Sequence, residues 1–439
     1  MAKGGGMSAR AIALRVASSP ASRAANRSSV FSARGLLAYA VLFSSFSRIF
    51  AFASQLLTGQ PLLGQWLCLG IWLLLFSTFL ARHAGTPLVR RIVRGMVLVS
   101  AFFGAMWLFH PVTRPFFSAS LSTLCFVVAV GVPSAMLLAH EVDLNDFVLS
   151  LLPYLRVVCI LSLLTLGAGI RMVFLTSMGW GQTVTEPALF YYAYCRICPK
   201  LTGRPPLFMD RVMATVLFAL ALLGGRQWFI MCILTVGFGY LWSADTGKKK
   251  FAIWTAGIFS LLCVALFYND LLELLSHFLN AFGIQSRALE HLVSGQLLDA
   301  TNRAGIYQFD REIIARNGMK VSGMFADRYF LKMYSSDIAH AHNFFYEMLI
   351  DFGTLWGGIV SIATVFLLVR GFLKGGRRFQ LVFVVFFCFG FLRYMVSSSV
   401  FANINFTLFC GLLFHRSFRR SVFRSFPPPP SWEPHGGHQ

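Results

Sequence analysis

Charge is scarce in this chain. Charged residues fill 13% of its 439 positions, about half the share of a typical soluble domain. Acids are scarcer still, with 17 Asp+Glu against 38 Lys+Arg. With 56% hydrophobic residues, there is too little polar side chain to cover a water-soluble fold of this size. The usual signatures of nucleotide and zinc chemistry are also missing. There is no P-loop, no G-x-G-x-x-G fingerprint and no H-E-x-x-H. No carboxylates stand at metal-ligand spacing in the segments expected to face outward, so no metal and no cofactor are expected. Nine cysteines are present, yet the stretch 269–343 holds none, which excludes a disulfide framework there. Cys195 and Cys198 form a C-x-x-C pair without a second pair, and in an apolar segment it reads as structural.

What the chain has instead is long apolar runs. A run of about 17–25 residues crosses the roughly 30 Å hydrocarbon layer as a helix. Such runs lie at about 36–58, 61–81, 95–110, 116–138, 147–167, 206–224, 227–243, 251–268, 344–369, 379–396 and 400–415. The fold class expected is all-α: a polytopic integral membrane protein.

The net charge of +21 would point to nucleic acid in a soluble protein. Here the basic residues fall between the runs. They cluster as Lys3, Arg10, Arg15, Arg23, Arg27 and Arg34; as Arg82, Arg90, Arg91 and Arg94; as Lys248 to Lys250; as Arg370, Lys374, Arg377 and Arg378; and as Arg416, Arg419, Arg420 and Arg424. Lys and Arg near span ends stay on the cytoplasmic side. Eleven spans leave Lys248 to Lys250 outside. A short crossing at about 185–198 restores the parity and gives about twelve spans with both ends inside. Nucleic acid is then not needed to explain the charge, and membrane lipid is the surrounding partner.

The expected organisation follows. Residues 1–34 form a basic cytoplasmic arm, 35–268 hold spans one to nine, and 269–343 form one large periplasmic loop containing helices. Residues 344–415 hold spans ten to twelve, and 416–439 are a disordered cytoplasmic tail with Pro427 to Pro430. The arm's Arg- and Ser-rich, acid-free composition also resembles a transit peptide.

The long loop and the arginines that defy the charge rule are where chemistry is expected. His340 and His342 stand at the loop's end, just before a span, and an imidazole there can act as a general base near neutral pH. Arg226 follows Gly224-Gly225 in a short outer turn, and its guanidinium suits phosphate oxygens; the alternative is an ordinary interfacial arginine. Arg303 lies in a helical stretch of the loop. Arg48, Arg156, Arg196, Arg211 and Arg393 fall within or at the edges of spans, where charge is costly.

Three segments carry a family resemblance. Leu222-Leu223-Gly224-Gly225-Arg226-Gln227 is similar to a post-span turn with an Arg after a small residue. Thr301-Asn302-Arg303-Ala304-Gly305-Ile306-Tyr307 is similar to an Arg-x-x-Ile-aromatic motif. His342-Asn343, nine residues, then Gly353 is similar to a His-Asn-x9-Gly motif. In this order the chain resembles the bacterial O-antigen ligase and O-antigen polymerase superfamily, in motifs over roughly 215–370 and elsewhere in topology alone. The resemblance implies an inner-membrane glycosyltransferase acting at the periplasmic face. Its donor would be a polyprenyl-diphosphate-linked glycan. Its acceptor would be the lipid A core for a ligase, or a second lipid-linked glycan for a polymerase. It implies His342 as general base, Arg226 and Arg303 on the diphosphate, and His340, Asn343 and Tyr307 in support. A reading from a different class is a transporter or lipid flippase, which would show internal repeats and midplane sites; no repeat is evident.

Overall fold

The structure is a computed structural model. It describes residues 32–169, 190–195, 206–221, 300–334, 341, 343–395, 399–401 and 403–415, with a few isolated positions between them. Among these residues every regular element is helical. In chain order they are α1 (Ala33–Val41), α2 (Phe43–Thr58), α3 (Pro61–Arg82), α4 (Pro87–Phe109), α5 (Arg114–Ala119), α6 (Leu121–Phe126), α7 (Val132–His140), α8 (Leu144–Gly169), α9 (Phe208–Ala221), α10 (Ala300–Asn317), α11 (Ala326–Tyr334), α12 (Phe344–Lys374), α13 (Arg377–Gly390) and α14 (Ile404–Leu413).

By length and composition four helical runs can cross a bilayer: α3, α4, the α6–α7 run Leu121–His140, and the Phe344–Leu373 stretch of α12, whose part after Gly353 is the straight limb. The bent pair α1 and α2, turned by 60°, makes a fifth. Their outward faces are apolar. Leu73 and Leu74 on α3, Val97 and Leu98 on α4, and Ile362 and Phe366 on α12 are all exposed. Water would penalise such faces, whereas lipid tails do not. The expected spans at 227–243 and 251–268 lie outside the described residues, as does most of 185–198, where 190–195 is helical.

The boundaries differ from the apolar runs for identifiable reasons. α4 begins at Pro87, well before the run at 95, because Thr86 caps it by accepting the N–H of Val89 (3.4 Å) and Pro87 fits the first turn. Arg90, Arg91 and Arg94 therefore sit on a helix rather than in a loop. Between α6 and α7 the helix widens into a π segment, Val127–Gly131. The Ala129 carbonyl there accepts the indole N–H of fully buried Trp72 on α3 (2.8 Å), so the irregular turn is satisfied inside the bundle. α13 and α14 are shorter than expected. At 1.5 Å per residue, the ten residues of α14 span only about 15 Å. The chain between them is irregular, with a 3₁₀ turn at Leu392–Met395.

Basic residues flank two helix junctions: Arg82 ends α3 and Arg90, Arg91 and Arg94 lie in the first turns of α4, while Arg370 and Lys374 end α12 and Arg377 and Arg378 begin α13. Arg34 of α1 pairs with Asp146 of α8, and the His415 ring hydrogen-bonds the Val142 carbonyl (2.9 Å). At the far end of α4, His110 packs against Gly323. A Cβ at Gly323 would lie 2.4 Å from the His110 ring, and φ is +99°. Helices α10 and α11 are thus held at the end of α4 opposite its arginines.

One arginine noted for its position in a span finds its partner. Arg156 on α8 makes a two-pronged ion pair with Asp210 on α9, with Nε to Oδ1 at 2.8 Å and Nη2 to Oδ2 at 2.7 Å. Tyr191 donates its hydroxyl to the same carboxylate at 2.8 Å. Hydrogen-bonding Asp210 from two other elements ties α8, α9 and the 190–195 helix together.

Candidate functional site

Helix α12 is two helices. Gly353 interrupts it at φ 74°, ψ 169°, a backbone region open essentially only to glycine. A Cβ there would lie 2.6 Å from the Met319 carbonyl oxygen. The chain reverses at this point. A Cβ on Gly357 would come within 2.2 Å of the Met348 carbonyl oxygen, whereas residues nine apart in a continuous helix are separated by about 13.5 Å. The limb 344–352 therefore folds back on the limb 354–374. The Thr354 N–H donates to the Gly318 carbonyl (2.8 Å), which anchors the reversal to the end of α10.

The short limb carries the site. It starts at Asn343, whose side-chain oxygen accepts the N–H of Phe345 (2.9 Å) and Tyr346 (3.4 Å). An Asn cap satisfies donors that a helix start otherwise leaves open. Three residues on, Tyr346 meets Tyr307 of α10 with ring centroids 5.4 Å apart. Ile306, Ile313, Ala326, Leu331, Ala341 and Ile350 close a small apolar core behind this pair.

Beneath that core lie four buried carboxylates: Asp310 on α10, Asp327 on α11, and Glu347 and Asp351 on the short limb. Glu347 and Asp351 are four residues apart and so share a helix face. Asp351 accepts the N–H groups of Phe325 (2.9 Å) and Asp327 (3.0 Å), capping α11 from another helix. Its own carbonyl accepts from Ser322 (3.0 Å) and Gly323 (2.9 Å). Asp327 accepts the N–H of Ala341 (3.0 Å). Glu347 binds the Ser399 hydroxyl and the Val400 N–H, filling the irregular stretch between α13 and α14. Arg328 donates to the Ser120 hydroxyl (2.7 Å) and lies over the Phe325 ring at 4.2 Å. Burial pushes the Asp310 carboxyl up to about 8, and the neighbouring Asp327 charge adds to it. Burial raises Asp327 too, opposed by the Arg328 charge and by backbone N–H donors.

The residues singled out from sequence are placed as follows. Asn343 and Tyr307 come together at the start of the short limb. Position 303 lies on α10 one turn before Tyr307, and its side chain is outside the described residues, as is that of Arg393. His342, His340, Arg226 and Arg196 lie outside the described residues entirely. Both neighbours of position 342 are fixed nonetheless: Ala341 by Asp327, and Asn343 by its cap.

Sequence reading missed the carboxylates. Asp327 stands twenty positions before Glu347, so no local spacing joins them. The available signal was Glu347 and Asp351 at i, i+4 on the edge of an apolar run, where charge needs a reason. No known protein family, no curated protein and no solved structure matches this chain.

Proposed function

We propose that the chain is a glycosyltransferase of the O-antigen ligase type in the bacterial inner membrane, with its site facing the periplasm. The observation that carries the reading is the meeting of Tyr307 with Tyr346. It brings α10, which carries position 303, beside the start of the short limb at Asn343, although the two are distant in sequence. The resemblance requires these two motifs to work on one substrate. The motif glycine also has a reason to be glycine, because Gly353 makes the reversal that presents the short limb. The position of the site, at the end of α4 away from its arginines, agrees with an outward face under the charge rule.

The chemistry is an inverting displacement. An acceptor sugar hydroxyl attacks the anomeric carbon of a glycan carried on polyprenyl diphosphate. Its proton passes to His342, the new glycosidic bond forms, and the bond to the diphosphate oxygen breaks. The leaving group departs as a lipid diphosphate carrying one negative charge more than it had in the donor, and Arg226 and Arg303 hold it and neutralise that charge. It needs no protonation, so the acid required in glycoside hydrolysis has no counterpart. The reading requires no metal and no cofactor for the step.

The test uses purified protein, lipid-linked donor, and either lipid A core or further donor as acceptor. Glycan transfer to the core supports the ligase; chain growth supports the polymerase of the same superfamily. His342→Ala, with expression verified, should abolish either product. Arg226→Lys keeps charge but loses the planar fork, and should insert normally with strongly reduced turnover. Wild-type transfer by His342→Ala removes the general base, and no transfer by the wild-type chain to either acceptor favours a transporter or flippase.

A further inference from the structure

The four carboxylates are not used by that chemistry, and their charge is not balanced. Asp310, Asp327 and Asp351 are 0% exposed and Glu347 is 2%. One carboxylate oxygen from each of Asp327, Glu347 and Asp351 lies within 4.8 Å of the other two. Hydrogen bonds account for only part of the set. Asp327 Oδ1 and both oxygens of Asp310 are buried with no hydrogen-bond partner. Arg328 is the one cation whose charge bears on Asp327 and Glu347 among the described residues, but it makes no ion pair with any of the four; its hydrogen bond goes to Ser120 and its plane lies over the Phe325 ring, so one positive charge faces four carboxylates. Several carboxylates buried together must be neutralised by a cation or by protons.

The donor set indicates which cation. All the donors are carboxylate oxygens, which suit hard ions rather than zinc or copper. Calcium holds oxygens at about 2.3–2.6 Å, so ligands on opposite sides of it are about 4.6–5.2 Å apart. Oxygens within 4.8 Å of one another fall inside that reach, and a set of three carboxylates suits calcium better than magnesium, which keeps several waters and uses one or two carboxylates.

We propose that Asp327, Glu347 and Asp351 bind one calcium-class divalent cation, with Asp310 as the adjoining carboxylate. The cation clamps α11 and the segment at Ala341 onto the short limb of α12. It is a structural ligand, and its binding does not depend on the transferase reading.

The test is calcium binding by the full chain in detergent after chelator treatment and dialysis, followed by calorimetry and thermal unfolding. One calcium per chain is expected, with a midpoint rise of several degrees, a weaker response to magnesium, and loss of both effects in Asp327→Asn. Because that variant removes a ligand and can fail to fold, Asp310→Asn is measured beside it. It leaves the three ligands in place and should bind calcium several-fold more weakly. The proposal is overturned by no calcium response up to about 10 mM, beyond the weakest extracellular calcium modules. It is equally overturned by an undiminished response in folded Asp327→Asn, or by stability that follows pH and ignores cations, which would assign the neutralising role to shared protons.

Discussion

The carboxylate of Asp351 accepts the N–H of Phe325 at 2.9 Å, and Phe325 is the one non-glycine residue with positive φ among the described positions, at 67°. A bulky residue in that region costs about 1–2 kcal/mol. The strain persists because Asp351 takes the first donors of α11 and because the Phe325 ring is fully buried against Phe117, with centroids 5.0 Å apart. Asp351→Ala should remove both caps and leave two buried N–H groups open. We expect a loss of about 2–4 kcal/mol, read as a lower thermal midpoint in detergent, with Asp351→Asn falling between.

Gly353→Ala should uncouple the short limb while the limb 354–374 still inserts. The added methyl meets the Met319 and Lys320 carbonyl oxygens at 2.6 and 2.7 Å, in a conformation costing about 1–3 kcal/mol for a non-glycine residue. The expected result is normal membrane integration with new protease cleavage between α10 and α12. An unchanged digestion pattern would show that the reversal tolerates a side chain.

Tyr307→Phe should keep glycan transfer near wild type, and Tyr307→Ala should lower it markedly. The ring contact with Tyr346 is worth about 0.5–1.5 kcal/mol beyond simple burial, and its loss frees the Arg303 segment from the Asn343 segment. A hydroxyl with a chemical role would instead make the Phe variant the inactive one, so the pair of rates separates positioning from chemistry.

Arg156 and Asp210 should couple in a double-mutant cycle. Either neutral variant alone leaves a charge in the bundle without its partner, and the double replacement Arg156→Met, Asp210→Leu should recover much of the loss. A coupling energy of about 0.5–3 kcal/mol in thermal unfolding is expected. The partly exposed Arg156 side chain, at 40%, places the value toward the lower end.

Much of the bundle is legible in sequence where one local pattern decides it. The run at 61–81 becomes α3, Pro61–Arg82, because unbroken apolarity and a proline in the first turn agree. The His-Asn-x9-Gly spacing also has a local meaning, as Asn343 starts the limb and Gly353 ends it. What stays hidden depends on neighbours distant in the chain. Arg156 stands out alone, but only folding brings Asp210 to it. The 60° bend at Leu42 has no proline or glycine to announce it. The carboxylates escape for the same reason, since Asp327 and Asp351 are joined by a backbone cap rather than by a motif.

The reversal at Gly353 also sets an order of events during synthesis. Helix α11 leaves the ribosome before the residue that caps it, because Asp351 follows Asp327 by twenty-four positions. Until the short limb has been made and has turned back, Asp310 and Asp327 have neither Asp351 nor Glu347 beside them, and the Phe325 backbone has no reason to hold its strained form. Helices α10 and α11 can therefore reach their final packing only after the start of α12 has been made. A chain truncated before Glu347 would leave α10 and α11 open to quality-control proteases, even with every earlier span correctly inserted.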